Sequence, residues 1–213
     1  MMDAGHDPIG SGCNERTVAP LDRLDRQLAF LLATDRLKQI LRNNRLLDGS
    51  RNENSAEHSW HLTLMALTLA EHAPLRTDAA RVAELLIVHD IVEIEAGDHW
   101  VTDDNASEVA AKEAAAAESL FGLLPPDQRD RFRGLWDEYE ARTTPEALFA
   151  RALDSLHPLL LVWGPGGSGY VHVPVSAAFM RDQKRSALEQ YPALWALAQR
   201  LLDDAVRRGL LPA

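Results

Sequence analysis

A stretch that is otherwise wholly apolar, Leu85-Leu86-Ile87-Val88-His89-Asp90-Ile91-Val92-Glu93-Ile94, carries three groups able to bind a cation or move a proton. A helix that is apolar nearly all round is buried, and burying an unpaired carboxylate is costly. Either each polar group has a fixed partner, or a cation neutralises them together. On a continuous helix His89 and Glu93 share one face, with Asp90 about 100° round. Imidazole nitrogen with carboxylate oxygen suits a divalent transition metal or magnesium. This run alone leaves both readings open.

Two further segments bring the same residue types into apolar surroundings. Glu57-His58-Ser59-Trp60-His61 precedes Leu62, Leu64, Met65, Leu67 and Leu69, and on spacing alone both His58 and His61 could be ligands. Asp154 lies in Leu153-Asp154-Ser155-Leu156-His157-Pro158-Leu159. A single buried acid is usually a paired structural residue; three segments with the same habit are less easily dismissed. Between residues 36 and 51 the bases Arg36, Lys38, Arg42, Arg45 and Arg51 face one acid, Asp48. That run is either a solvated face or the local positive charge that an anionic substrate needs.

The elements that must position these groups read as helices. Leu21, Leu24, Leu28, Leu31 and Leu32 recur at threes and fours. The basic run, interrupted by Asn43-Asn44 and Asp48-Gly49-Ser50, is partly loop. Asn54-Ser55 opens a helix over 56–73, and Thr77-Asp78 caps one over 79–95 that ends at Gly97. Helices are predicted over 107–121, 126–141 (inner side Leu135, Trp136, Tyr139), 145–162 behind Thr144-Pro145, 176–190 and 192–208. Nothing alternates with period two. The expected fold is all-α, a compact bundle of irregularly crossing helices, with a tail over 1–19 and one domain over 20–213.

The 213 residues are 46% hydrophobic and 25% charged, an ordinary balance for a globular protein. A net charge of −10 argues against a nucleic-acid polymer as partner. No apolar run approaches the ~20 residues that span a bilayer, and the N-terminus lacks a signal-peptide pattern, so no membrane partner is expected. The lone cysteine, Cys13, cannot form an internal disulfide. A cytoplasmic setting is expected.

The ordered set Glu57-His58-Ser59, His89-Asp90 and Asp154 resembles the H…HD…D signature of the HD-domain metal-dependent phosphohydrolases. The strings LLDGSRNENSAEHSWHLTLMAL, IVHDIVEIEAGD and FARALDSLHPLLL resemble the branch containing the 5′-deoxynucleotidases, with similarity over about 21–211. The resemblance implies an HD-domain bundle with His58, His89, Asp90 and Asp154 as metal ligands. It implies Glu93 as catalytic acid, Asp98 as a carboxylate lining the nucleotide site, and an arginine before the EHS string on the substrate. Arg42 is the best match, with Arg45 or Arg51 as substitutes; where some relatives carry Arg-Trp, this chain reads Arg42-Asn43-Asn44-Arg45. His99 stands where a small hydroxyl residue often follows the AGD string. Relatives in this branch often pair, so a homodimer is expected.

Dinuclear relatives bring extra histidines between the HD pair and the last Asp. Here that interval offers only His99, which favours one ion. The mixed ligand set admits manganese, cobalt, iron, zinc or magnesium. His61 and His157, one helical turn after a ligand, are read as supporting or core residues. His72 and His172 are read as structural, the GPGGSG stretch at 164–169 as a connector, and the tryptophans as core. The expected reaction is hydrolysis of 2′-deoxynucleoside 5′-monophosphates. An ion-activated water would attack phosphorus, and Glu93 would protonate the leaving 5′-oxygen. The alternatives are hydrolysis of a triphosphate or cyclic nucleotide, or a metal-bound interaction or sensor protein without turnover. The latter predicts a broken acid position, whereas Glu93 and Asp98 are both present.

Overall fold

The computed structural model describes residues 22–98, 105–171 and 174–213. The expected tail with Cys13, as well as His99 and His172, lies outside them. Helices start where side chains satisfy their first free N–H groups. In α1 (Arg23–Thr34) the cap is Asp22, which accepts from the Asp25 amide. At α2 (Ser55–Thr68) the arrangement is reciprocal: Asn54 accepts from the Glu57 amide at 2.9 Å, and the Glu57 carboxylate accepts from the Asn54 amide at 3.3 Å. Asp78 caps α3 (Ala79–Val88) through the amides of Ala80 and Arg81.

α5 (Ala106–Phe121) and α6 (Pro126–Ala141) follow, and then α7 (Pro145–Trp163), capped by Thr144 with proline in its first turn. α8 (Ala177–Leu188) and α9 (Pro192–Arg207) close the chain. α7 runs through the middle, packing on α2, α3, α6, α8 and α9. It brings Phe149, Leu153, Leu156 and Leu159 into the core with essentially no exposure. Leu135, Trp136 and Tyr139 of α6 face inward as expected. Of the described tryptophans, Trp136 and Trp163 are buried and Trp195 half-buried. Trp60, expected in the core, stands exposed on the outer face of α2 beside Leu64 and Leu67.

Two departures from the sequence reading shape the site. The basic run is a hairpin, β1 (Leu41–Arg45) paired antiparallel with β2 (Asn52–Asn54), with Leu41 opposite Asn54 and Arg45 opposite Asn52. The unequal spacing places a bulge in β1. Gly49 turns the chain at φ +70, a left-handed conformation suited to glycine, and Asp48 accepts from the Ser50 amide. Strand residues LRNNR offer no apolar alternation, so this hairpin leaves no pattern to read.

The second departure concerns the helix expected over 79–95. α3 stops at Val88, His89–Val92 tightens into a 3₁₀ turn, and the one-turn α4 (Glu93–Ala96) ends at Gly97 with φ 85. At three residues per turn, positions three apart line up. Asp90 therefore aligns with Glu93, rather than His89 with Glu93 as a continuous helix would require. The helix begun at Asn54 is also shorter than expected, closing in a 3₁₀ turn over Ala70–His72.

Candidate metal centre

The hairpin, the first turn of α2, the 3₁₀ turn and the middle of α7 converge on one buried cluster. His89 Nδ1 lies 2.8 Å from the Leu86 carbonyl, which can only accept, so Nδ1 carries the proton. This leaves Nε2 buried, without a hydrogen-bond partner, and 2.9 Å from Asp90 Oδ1. His58 Nε2 is 3.1 Å from Asp154 Oδ1 and 3.9 Å from Asp90 Oδ2. One donor atom each from His58, His89 and Asp90 lies within 4.8 Å of the others, and Asp154 joins them through His58. The Asp154 Oδ2 atom is taken by the Tyr139 hydroxyl at 3.1 Å and by Arg151 at 2.7 Å, which leaves Oδ1 to the centre. Two imidazoles and two carboxylates with an orphaned ring nitrogen among them fit a divalent cation.

The electrostatics point the same way. Burial alone would push the His89 imidazole down, yet Asp90, Asp154 and Glu93 outweigh it and raise its pKa to about 9. Burial likewise opposes the Arg42 charge, and the same three carboxylates, with Asp98, hold its pKa above the ordinary arginine value. The carboxylates therefore stabilise positive charge at His89 and Arg42. Asp90 and Asp154 face the opposite balance. Burial would raise both, but His89 and Arg42 hold Asp90 down, and His58 with Arg151 holds Asp154 well below the carboxylate range. Glu93 goes the other way: burial and then the Asp90 charge raise its carboxyl, against the pull of Arg42 and of Ser55. The Ser55 hydroxyl donates to Glu93 Oε2 at 2.6 Å.

Of the three candidate arginines, only Arg42 reaches the cluster, with one nitrogen 2.9 Å from Asp90 Oδ2 and 3.8 Å from Glu93 Oε1. Arg51 is committed to a two-pronged pair with Glu57 at 2.6 and 2.9 Å. Arg45 donates to the Gly49 carbonyl and lies over the Tyr170 ring at 4.3 Å. Asp98 is half-buried and near enough to act on the charges of both Arg42 and Glu93. His61 and His157 stand behind His58 rather than facing the centre. Burial, then His58 and His61, hold the His157 pKa well below the imidazole value. His72 is exposed at the end of its turn.

Several participants escape a sequence reading. Glu53, 2% exposed, ends the hairpin beside His58 and His157. Tyr139 was legible only as core, although its hydroxyl binds Asp154. Arg151 lies one turn before Asp154, a spacing that could have flagged it. Lys184 falls on the inner stripe of α8 with Ala177, Met180 and Leu188, a period that also was readable. Burial lowers its pKa, and its charged neighbours are Asp154, Arg151 and Arg42. Pro158 supplies no N–H to the Asp154 carbonyl one turn back, yet α7 continues through it.

The HD domain family model matches residues 34–195 of the chain. The 5′-deoxynucleotidase HDDC2 of Xenopus laevis is 33% identical over 135 residues, which cover 62% of this chain and 66% of that protein. The 5′-deoxynucleotidase YfbR of Escherichia coli is 30% identical over 136 residues, covering 60% and 68%. The chain thus spans about two thirds of the length of these curated relatives. Among solved structures, a predicted metal-dependent phosphohydrolase from Magnetospirillum magnetotacticum is 46% identical with a TM-score of 0.80, over 90% of this chain and 99% of that one. An HD-domain phosphohydrolase from Listeria innocua, 17% identical with a TM-score of 0.62 over 86% and 92%, shares the fold.

Proposed function

Because this chain belongs to the HD-domain family of metal-dependent phosphohydrolases, we propose that it removes phosphate from 2′-deoxynucleoside 5′-monophosphates with one divalent ion. Relatives named 5′-deoxynucleotidases support the substrate class. The observation that carries the reading is a buried carboxyl beside the candidate metal cluster: Glu93 accepts from the Ser55 hydroxyl, lies 3.8 Å from Arg42, and has its pKa raised by burial and by the Asp90 charge.

His58, His89, Asp90 and Asp154 would hold the ion, and manganese, cobalt, iron, zinc and magnesium all suit this donor set. When bound, a divalent ion supplies a Lewis acid for a phosphate oxygen and an acidified water as nucleophile. Arg42 offsets the phosphate dianion from the hairpin side. Glu93 Oε2 is held by Ser55, so Oε1, 3.8 Å from Arg42, carries the proton toward the leaving 5′-oxygen. Asp98 accepts from the 3′-hydroxyl of the sugar. With the sugar between the hairpin and the 93–98 segment, bulky neighbours on the 2′ side would reject an added hydroxyl by a clash, where a merely apolar pocket would discriminate by only about a hundredfold.

Phosphate release from dAMP, dGMP, dCMP and dTMP is therefore expected to exceed that from AMP, GMP, CMP and UMP at matched concentration, with little choice among bases. Equal rates for the two sugar series would remove the deoxynucleotide preference while leaving phosphohydrolase activity standing. We propose pairing into a homodimer as well. Trp60, Leu64 and Leu67 form an exposed apolar strip along α2, and covering such a strip is what pairing would gain. Light scattering at micromolar concentration should give twice the chain mass, and a monomer mass would count against the dimer. No helix of the described residues is long and apolar enough to cross a membrane.

A further inference from the structure

We infer that His157 and His61 form a one-way hydrogen-bond chain that sets the tautomer of His58, which makes His157 a positioning residue for the metal centre. The inference rests on the reading of His58 as a ligand. His58 is fully buried, and its two nitrogens face different surroundings. Nε2 points at Asp154 and Asp90, whereas Nδ1 lies 3.1 Å from His157 Nδ1. Two ring nitrogens at that distance share one proton between them. A neutral imidazole that offers its Nε2 lone pair to a cation keeps its only proton on Nδ1. His58 therefore donates and His157 Nδ1 accepts.

The remaining positions follow in sequence. Neutral His157, accepting at Nδ1, carries its proton on Nε2, which lies 2.9 Å from His61 Nδ1 and donates to it. His61 then carries its proton on Nε2 and is half-buried, which brings the chain toward solvent. Glu53 supports the same order. One of its oxygens is 3.5 Å from His58 Nδ1 and the other 3.6 Å from His157 Nε2, the two positions that hold protons in this chain. The chain also settles a second question. Glu53, His61 and His157 place donor atoms within 4.8 Å of one another, close enough to hold a cation of their own. In the ordered chain the His157 Nε2 lone pair is not available, so preparing His58 denies this second cluster an ion.

The test is zinc affinity by chelator competition on the full chain, with metal stoichiometry by elemental analysis. His157→Leu removes both links and should weaken zinc binding about 10–100-fold, the usual effect of losing a ligand's supporting partner. His157→Asn offers an amide oxygen near the position of Nδ1 and should recover most of that loss, which a merely structural role for the ring would not produce. In the zinc-loaded wild type, nitrogen-15 spectra should show the Nδ1–H form of His58 and the Nε2–H form of His157, at one zinc per chain. That spectrum decides the matter even if His157→Leu fails to fold. Unweakened binding by His157→Leu, the Nδ1–H form of His157, or two zinc ions per chain would overturn the inference alone. Failure of the wild type to bind zinc or manganese would overturn the metal centre, and the inference with it.

Discussion

Asp90→Ala is expected to lose bound metal and turnover together. Asp90 is the most shared group of the centre, with Oδ1 at 2.9 Å from His89 Nε2 and Oδ2 at 2.9 Å from Arg42. Its removal takes away one of four proposed ligands and also deprives Arg42, whose side chain is only 14% exposed, of its shortest carboxylate contact. Breaking a buried pair by removing one partner costs about 3–5 kcal/mol, so the variant should also unfold at a lower temperature. His58→Ala should behave alike in metal content and activity, because His58 reaches both Asp154 and Asp90. Elemental analysis of the purified variants is the measurement. Full metal content in either would remove the assignment of a single ion to these residues, whatever the loss of activity.

Glu93→Ala should give the opposite combination, with metal retained and turnover reduced by about 10²–10⁴-fold, the usual contribution of a positioned general acid. Glu93 contacts Ser55 and approaches Arg42, neither of which is a proposed ligand. The pH profile carries a second signature. Burial and the Asp90 charge favour the neutral carboxyl, so its pKa is raised and the proton-bearing form persists through neutral pH. A general acid works only while protonated, so activity should fall on the alkaline side as pH rises through the raised pKa. That limb should disappear in Glu93→Ala. Metal loss in this variant would make Glu93 a ligand instead.

Much of this molecule follows from interactions within a few residues, and these were legible in the sequence. Asn54 with Glu57, Thr144 with Pro145, and Gly97 mark helix ends because capping is settled by the residues at the cap itself. The run from Leu85 to Ile94 announces its own burial, because so apolar a segment has little polar surface to offer water, and it is buried at every position but Ile87, which is 47% exposed. The ordered His58, His89-Asp90 and Asp154 pattern points to the family without the fold.

What the sequence left open was decided by packing. Arg42, Arg45 and Arg51 are equivalent cations in a list of residues; the bulged hairpin hands Arg51 to Glu57 and Arg45 to Tyr170, leaving Arg42 for the carboxylates. The 3₁₀ turn at His89–Val92 appears in an apolar run that reads equally well as α-helix, because the two conformations differ only in which neighbours they satisfy. Tyr139 and Arg151 on Asp154, and the chain from His58 through His157 to His61, join α2, α6 and α7. Residues 58 and 157 are ninety-nine positions apart. No local preference encodes a contact at that separation; it exists because burying the apolar face of α7 against α2 and α6 brings those polar groups together out of water.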